Sequence, residues 1–209
     1  MIYLTGSVGV AAEKHLNSNL IGYLRAPGGG RALQPSWTWA ADNGCFGKGW
    51  PGIDKWLDWL RSHTDEERSR CLFATAPDVV GDHSATVARS APLIPVIRSL
   101  GYKAAFVAQD GMTADGSDWD FDVLFIGGST AWKLGSDAKA VISESIRRGI
   151  PVHVGRVNSQ KRLIAFAALG CSSADGTFLA YGPETNLPKL LSWITHLDTH
   201  PPLFEMQPS

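Results

Sequence analysis

Four polar side chains each follow a short apolar run in this sequence, in positions where they could carry out chemistry. They are Asp42, Asp78, Gln109 and Asp175. An ionised carboxylate is costly to bury unless it is hydrogen-bonded, so each needs a structural or a chemical reason. Two neighbouring carboxylates can divide glycosidic chemistry, one attacking the anomeric carbon and the other handling a proton. A further Asp and a Gln can hydrogen-bond the edge of a flat heterocycle, whereas any single Asp could instead cap a helix.

Two glycines and a basic stretch add candidate ligand contacts. Gly127 and Gly128 follow the apolar run 123–126 and, lacking Cβ atoms, would let backbone amides approach a ligand; a tight turn is the alternative. Residues 145–174 contain five Lys or Arg and no Asp or Glu: Arg147, Arg148, Arg156, Lys161 and Arg162. We expect the first two to complement a helix C-terminus. The last three are expected to grip a nucleic-acid backbone, because the loop at 155–158 leads into a helix N-terminus.

Metal and serine-hydrolase chemistry find little support in the sequence. The histidines His63, His83 and His153 show no ligand spacing such as i, i+4, and the last lies in a predicted buried strand, which favours structural roles. The three cysteines, at positions 45, 71 and 171, are scattered and form neither zinc-site spacings nor a disulfide framework. The sequence has no G-x-S-x-G nucleophile elbow. We therefore expect no metal site.

The overall composition excludes several classes of protein. The 209 residues, 44% of them hydrophobic, suit one domain with a substantial core. The 19 Lys and Arg nearly balance the 20 Asp and Glu, for a formal charge of −1, so a polyanion must be bound by a local patch. No apolar stretch approaches the roughly 20 residues that cross a bilayer, and the first residues lack a basic-then-apolar signal. These features predict a cytosolic protein with no membrane partner.

Alternating strands and helices are needed to position the candidate residues. Eight apolar runs have strand length: Ile2–Gly6, Ile21–Ala26, Thr38–Asp42, Cys71–Ala76, Ala104–Gln109, Val123–Gly127, Val152–Gly155 and Ser173–Asp175. The amphipathic runs between them are Ile53–Ser62, Ser84–Leu100, Ser136–Arg148, Ser159–Leu169 and Leu187–Leu197. These repeated units predict an α/β fold, a compact (β/α)8 TIM-like barrel, with an open doubly wound sheet as the alternative. In such a barrel the C-terminal strand ends meet at one mouth, where chemistry is built.

The chain is predicted to form one catalytic domain over residues 1–198. The sequence shows no internal repeat, no linker between domains and no zinc subdomain. Residues 199–209 contain three prolines and are expected to form a loose tail.

Five strand-end motifs occur in a fixed order along the chain. They are Ala-Asp-Asn-Gly-Cys-Phe at 41–46, Phe-Val-Ala-Gln-Asp-Gly at 106–111, Phe-Ile-Gly-Gly-Ser at 125–129, Val-His-Val-Gly at 152–155 and Gly-Cys-Ser-Ser-Ala-Asp at 170–175. Together they resemble the tRNA-guanine transglycosylase superfamily, and particularly the phage-type DNA-guanine transglycosylases that insert 7-deazaguanines. The zinc-binding Cys-x-Cys-x2-Cys plus His of that superfamily is missing from this sequence, which favours DNA over tRNA as the substrate.

The resemblance implies a role for each motif. Asp175 stands where the family has its nucleophile, and Asp42 stands where it has the second carboxylate of the reaction centre. Base recognition falls to Gln109 and to Asp78, with Asp82 as the alternative carboxylate. The other substrate-binding positions that the resemblance implies are Gly127, Gly128, Asn43, Phe46 and Val154, the last replacing a Met that stacks on the heterocycle.

The predicted activity is base exchange in a nucleic acid. A free 7-deazaguanine replaces guanine through a glycosyl-enzyme on Asp175, and no cofactor is needed. Two alternatives stay open: an N-glycosidase or nucleoside hydrolase on the same barrel, and a non-catalytic accessory protein that binds a base or nucleic acid. The presence of both Asp42 and Asp175 argues against the accessory protein, because binding a neutral base needs only one carboxylate. A partner protein or a homodimer that completes the nucleic-acid surface also stays open.

Overall fold

A computed structural model describes residues 1–6, 9–16, 18–47, 49–115 and 118–199 of the chain. Eight parallel strands close into a barrel in sequence order, and the last strand pairs with the first. The strands are β1 (Ile2–Thr5), β2 (Ile21–Arg25), β3 (Trp39–Ala41), β4 (Cys71–Thr75), β5 (Ala104–Ala108), β6 (Val123–Ile126), β7 (Val152–Val154) and β8 (Ser173–Asp175). The closed TIM-like barrel is confirmed, and the alternative of an open sheet is wrong.

Helices surround the barrel and cover its outer face. They are α1 (Val10–Glu13), α2 (Ile53–Arg61), α3 (Asp65–Ser69), α4 (His83–Ser90), α5 (Ile94–Ser99), α6 (Thr130–Leu134), α7 (Ser136–Arg147), α8 (Gln160–Ala168) and α9 (Pro183–Thr199), with a short 3-10 turn at Phe178–Ala180. None of the helices in the described ranges is long and apolar enough to cross a membrane.

Two predicted helices differ from those observed. The single helix expected over 84–100 is two helices, because Pro92 lies in the turn between α4 and α5 and Pro95 lies in the first turn of α5, where its missing N–H costs nothing. The last helix begins at Pro183, four residues before the predicted start at Leu187. Of the predicted tail, Thr199 ends α9, and the rest lies outside the described residues.

The two faces of each strand contribute to different cores. Successive side chains of a strand point to opposite faces, so alternate residues enter the barrel. Five buried side chains fill the interior: Leu4, Ala40, Phe73, Ala105 and Val123. The alternate set packs outward in a larger core beneath the helices. This alternation determines which residue at each strand end can face the mouth of the barrel.

Closure of the barrel pairs the first strand with the last. Strand β1 pairs with β8 in a register that places Leu4 opposite Asp175. The Tyr3 hydroxyl then donates a hydrogen bond to the carbonyl oxygen of Val157 across 3.0 Å, tying β1 to the loop that follows β7. The first strand therefore contributes directly to the placement of the last.

Candidate active site

A pocket opens at the carboxyl ends of the strands, the mouth of the barrel. Eight of the predicted site residues line it: Asp42, Phe46, Asp78, Gln109, Gly127, Gly128, Arg156 and Asp175. Phe46 is largely exposed at the rim of the pocket. Asp42, Asp78, Gln109 and Asp175 come from four different strand ends and face one space, because the carboxyl ends of parallel strands in a barrel meet at the same mouth. We call this space the mouth pocket.

The carboxylate of Asp175 is held by hydrogen bonds at both of its oxygens. Its Oδ1 accepts a hydrogen bond from the backbone N–H of Arg156 across 3.1 Å. Its Oδ2 lies 3.0 Å from Nε2 of His153, a neighbour on the inner face of the barrel. The residue is 9% exposed, so the carboxylate is largely enclosed but still reaches the pocket. Such a fixed carboxylate is suited to attack at one defined point.

His153 lies fully buried beneath the mouth pocket. Its Nδ1 is 2.9 Å from the Ser173 hydroxyl oxygen, and its ring packs against Phe73 and Phe125. Burial lowers the pKa of the imidazole, which favours the neutral ring. A proton on Nε2 lets the ring donate to Asp175 while Nδ1 accepts from Ser173. The histidine is satisfied, as the sequence predicted, but it also orients the candidate nucleophile.

Asp42 is the second predicted catalytic carboxylate that lines the pocket. Its Oδ1 accepts a hydrogen bond from the backbone N–H of Gly44 across 3.3 Å. Burial raises its pKa to about 6, and the negative charge of Asp175 acts in the same direction. Asp42 can therefore exchange a proton near neutral pH, which is the property that a general acid and base requires.

Asp78 and Gln109 form a polar pair on another side of the mouth pocket. The Gln109 amide nitrogen Nε2 donates to Oδ2 of Asp78 across 2.6 Å. Oδ1 of Asp78 accepts from Nδ2 of Asn43 across 3.0 Å. Burial raises the pKa of the Asp78 carboxyl, while these donors partly oppose that effect. The pair presents a carboxylate and an amide side by side, which suits the donor and acceptor edge of a heterocycle.

The amide oxygen of Gln109 fixes the pair to two loops. It accepts hydrogen bonds from the backbone N–H groups of Gly81, at 2.9 Å, and of Gly128, at 3.1 Å. These hydrogen bonds fix which end of the amide faces Asp78. They leave the second N–H of Nε2 for a ligand, because a primary amide carries two.

Two glycines keep the floor of the pocket open. A Cβ atom at Gly127 would lie 2.6 Å from Cγ1 of Val107 and 2.9 Å from Nε2 of Gln109. A Cβ atom at Gly155 would lie 3.2 Å from Oδ2 of Asp175. Any larger residue would therefore press on the groups that line the pocket.

Arg156 belongs to the wall of the mouth pocket. Its φ of 60° lies in the left-handed region, which is uncommon for a residue other than glycine. Its Nη2 donates to the carbonyl oxygens of Gly128 and, across 3.3 Å, of Gly127. The guanidinium also lies 4.4 Å from the centre of the Phe46 ring. Arg156, which the sequence predicts to bind the nucleic-acid backbone, thus makes its hydrogen bonds to the wall of the pocket. Its left-handed main-chain conformation accompanies that placement.

Two predicted ligand contacts require correction. Val154 points away from the pocket and packs in the core beneath the helices, since alternation sends His153 and Gly155 inward instead. It cannot stack on a bound base. Asn43 is 2% exposed and does not line the pocket; its amide donates to Asp78 and to the Ala76 carbonyl oxygen. Its place is that of a positioning residue for Asp78.

Three other predicted residues lie outside the mouth pocket. Asp82 caps α4, where its carboxylate accepts from the backbone N–H of Ala85, so the structure places Asp78 rather than Asp82 at the pocket. Lys161 and Arg162 lie in the first turn of α8; the lysine is exposed and the arginine is partly buried. The histidines at 63 and 83 also lie away from the pocket lining.

Lys133 is a buried cation that the sequence reasoning missed. It is 5% exposed, and its ammonium group donates to the carbonyl oxygen of Gly155. Burial lowers its pKa to about 8, and the charges of Arg156 and Arg162 act in the same direction. A lysine in a five-residue helix gives no local signal of burial, since lysine is ordinarily a surface residue.

Within the described residues, no group of three or more His, Cys, Asp or Glu is arranged to hold a metal ion. Comparison with models of known protein families gives no match for this chain, and comparison with curated protein sequences gives none either.

Proposed function

We propose that this protein is a base-exchange transglycosylase that replaces guanine in DNA with a free 7-deazaguanine. One observation carries the proposal: two carboxylates, Asp42 and Asp175, line the same pocket as the hydrogen-bonded pair Asp78 and Gln109. The first pair suits glycosidic chemistry and the second suits the edge of a purine. The resemblance of the strand-end motifs to guanine transglycosylases supports the same assignment.

The polar pair matches guanine in donors and acceptors. The N1–H and the 2-amino group of guanine both donate, and the Asp78 carboxylate accepts. The O6 of guanine accepts, and the remaining N–H of Gln109 Nε2 donates. Because Gly81 and Gly128 fix the amide oxygen of Gln109, the amide cannot turn to accept from adenine without breaking both of these hydrogen bonds. The pocket therefore favours guanine-like bases over adenine.

The reaction proceeds in two displacements at C1′. An oxygen of Asp175 attacks C1′, and the C1′–N9 bond breaks with its electron pair going to guanine. Protonated Asp42 supplies the proton that guanine takes up on leaving. The incoming base then gives its N9 proton to Asp42 while N9 attacks C1′, and the bond from C1′ to Asp175 breaks. Two inversions leave the configuration at C1′ unchanged, and both carboxyl groups return to their starting states.

The nucleic acid is bound from the rim of the pocket. Lys161 and Arg162 lie at the start of α8, close in sequence to the pocket residue Arg156. Positive side chains at the rim can contact phosphates on either side of the target nucleotide. The formal charge of −1 gives no long-range attraction, so these local cations carry the backbone contacts.

The test is incubation of the protein with DNA, radiolabelled guanine and a set of 7-deazaguanines, followed by mass spectrometry of the nucleosides. We expect labelled guanine to enter the DNA and at least one 7-deazaguanine to replace guanine. Parallel reactions with tRNA establish whether DNA is the preferred substrate. Release of guanine without incorporation of any base would identify a hydrolase instead. Binding without release or exchange would identify an accessory protein.

A further inference from the structure

The peptide group that joins Gly155 to Arg156 makes a hydrogen bond at each of its two polar atoms. Its carbonyl oxygen, on Gly155, accepts from the ammonium group of Lys133. Its N–H, on Arg156, donates to Oδ1 of Asp175 across 3.1 Å. One planar peptide group therefore connects a buried cation to a carboxylate that lines the mouth pocket.

The short helix α6 brings Lys133 to this peptide group. The helix begins after Ser129, whose hydroxyl oxygen accepts from the N–H of Trp132. Ser129 is held in turn by Asp110, whose carboxylate accepts from the Ser129 N–H across 2.6 Å and from its hydroxyl across 2.5 Å. The ammonium group is thus positioned by the loop after β5 as well as by its own helix.

The burial of Lys133 is costly and needs a physical reason. An ammonium group loses its hydration when it is buried, whereas an uncharged side chain of similar length, such as Met, would fill the same space at a lower cost. Three charges act on this ammonium group: those of Arg156 and Arg162 oppose it, and that of Asp175 favours it. Asp175 is therefore the anion that compensates the buried charge.

The main chain at the peptide group is strained and leaves little freedom. Arg156 has a φ of 60°, a conformation that costs free energy for a residue with a side chain. Rotation of the peptide plane would move the carbonyl oxygen away from Lys133 and the N–H away from Asp175 together. The lysine therefore opposes the rotation that would release the carboxylate.

The charge of Lys133 also strengthens both contacts to Asp175. An ammonium group on the carbonyl oxygen polarises the peptide, which makes its N–H a stronger donor to the carboxylate. Burial lowers the pKa of His153, and the charge of Lys133 acts in the same direction. The ring then stays neutral, and a proton on its Nε2 can donate to Oδ2 of Asp175.

We infer that Lys133 is a positioning residue for Asp175 and acts through the peptide group between Gly155 and Arg156. This role rests on the proposed function, in which Asp175 attacks C1′. Lys133 lies behind the wall of the mouth pocket rather than in its lining. It therefore affects the rate of the reaction and not the affinity for the base.

Guanine exchange by Lys133→Met tests this role. Incorporation of radiolabelled guanine into DNA is measured over a range of guanine concentrations. We expect kcat to fall about tenfold or more while KM for guanine stays within about threefold, because a loosely held carboxylate is less often in the attacking position. An unchanged kcat, or a rise in KM at constant kcat, overturns the inference.

Two further variants assign the effect to the charge at this position. Lys133→Arg keeps a cation with N–H donors and is expected to recover part of kcat. Lys139→Met is the matched control, because it makes the same substitution at an exposed position in α7 and should leave kcat unchanged. If Lys133→Arg is folded but no faster than Lys133→Met, the charge is not the cause.

Hydrogen–deuterium exchange at the Arg156 amide gives a readout that does not depend on activity. We expect its rate, measured by NMR, to rise about tenfold or more in Lys133→Met, while the amides of β5 keep their wild-type rates. A protein that is only destabilised would exchange faster in both places. An unchanged rate at Arg156 overturns the inference.

Circular dichroism establishes that each variant is folded. If Lys133→Met is not, Lys133→Gln, which keeps N–H donors but no charge, takes its place, and the same direction of change is expected.

Guanine exchange by the wild-type protein separates this role from the proposed function. If the wild type exchanges guanine and folded Lys133→Met does so with the same kcat, the proposed function stands and the role of Lys133 is wrong. If the wild type exchanges no base, the proposed function fails. The hydrogen–deuterium exchange at Arg156 then still decides whether Lys133 holds the peptide group.

Discussion

The imidazole of His153 lies directly beneath the carboxylate of Asp175, with Nε2 3.0 Å from Oδ2. The histidine is completely buried, and Ser173 holds its other nitrogen. With the Arg156 N–H on Oδ1, this contact holds the plane of the carboxylate in one orientation. The candidate nucleophile is therefore positioned before any substrate enters.

The contribution of this contact is measurable in His153→Ala and His153→Gln. We expect the alanine variant to lose about 10- to 100-fold in kcat with KM for the base nearly unchanged, because an unanchored carboxylate is less often in the attacking position. Glutamine can still donate and is expected to recover part of kcat. Circular dichroism establishes that each variant is folded. A rise in KM at constant kcat would contradict the positioning role.

Replacement of Asp175 tests the covalent step. We expect Asp175→Ala to abolish exchange while base and DNA affinities stay within a few-fold, because a nucleophile acts chiefly in the transition state. Asp175→Asn is expected to be no better. A denaturing gel of protein incubated with DNA and an inhibitory base analogue measures covalent trapping. A crosslinked band or full turnover in Asp175→Ala would refute the nucleophile assignment.

The proton on Asp42 predicts a pH dependence for release of guanine. The pKa of about 6 means that the carboxyl is mostly protonated below that pH and ionised above it. In the proposed mechanism, release of guanine uses the protonated form, so the single-turnover rate should fall as pH rises through about 6. Asp42→Asn should bind the base, react slowly and lose this dependence. A wild-type rate that rises through the same pH range would exclude Asp42 as the acid.

The proposed role of Asp78 in base recognition predicts a change in KM rather than in kcat. Deleting a buried hydrogen-bonding partner costs roughly 1–3 kcal/mol, so Asp78→Ala should raise KM for the base about tenfold or more. The raised pKa of Asp78 also predicts that KM increases as pH falls, since protonation removes its acceptor character. Asp82→Ala, which removes only a helix cap, is the matched control. The reverse pattern would assign recognition to Asp82.

The cations at the start of α8 are expected to contact DNA phosphates. The double variant Lys161→Gln and Arg162→Gln should weaken binding to all sequences alike. The dependence of log K on log salt should become shallower by about one unit for each phosphate that the variant no longer neutralises. Fluorescence anisotropy over a range of salt concentrations measures both effects. An unchanged affinity and slope would show that these residues form an ordinary solvated face.

The sequence pattern predicted the barrel and the main pocket residues for a definite physical reason. Asp42, Gln109 and Asp175 end or directly follow apolar strands, and parallel strands in a closed barrel must bring such ends together. The alternation of side chains also contained the position of His153, because it shares the inner face with Gly155 and Asp175. The alternation thus indicates that His153 lies next to the pocket, whereas its position in a predicted buried strand favours a purely structural role.

Other features could not be predicted from local sequence. The expected stacking position of Val154 is one residue out of phase with the strand, and a shift of one residue moves a side chain to the opposite face. The hydrogen bond from Arg156 to the Gly128 carbonyl oxygen after β6 joins loops 28 residues apart, and the pairing of Asn43 with Asp78 spans 35 residues. Side-chain hydrogen bonds over such separations depend on the complete tertiary arrangement and leave no periodic pattern.

Because Leu4 pairs with Asp175, the candidate active site is complete only after the eighth strand has been synthesised on the ribosome. The first strand is synthesised first, but its neighbour β8 is available for pairing only after the eighth strand has been translated. Until then the edges of β1 and β7 are unpaired, and the Val157 N–H lacks its acceptor, the carbonyl oxygen of Asp175. An interrupted nascent chain that ends before β8 therefore contains Asp78 and Gln109 but lacks Asp175, so under the proposed mechanism it cannot form a glycosyl-enzyme.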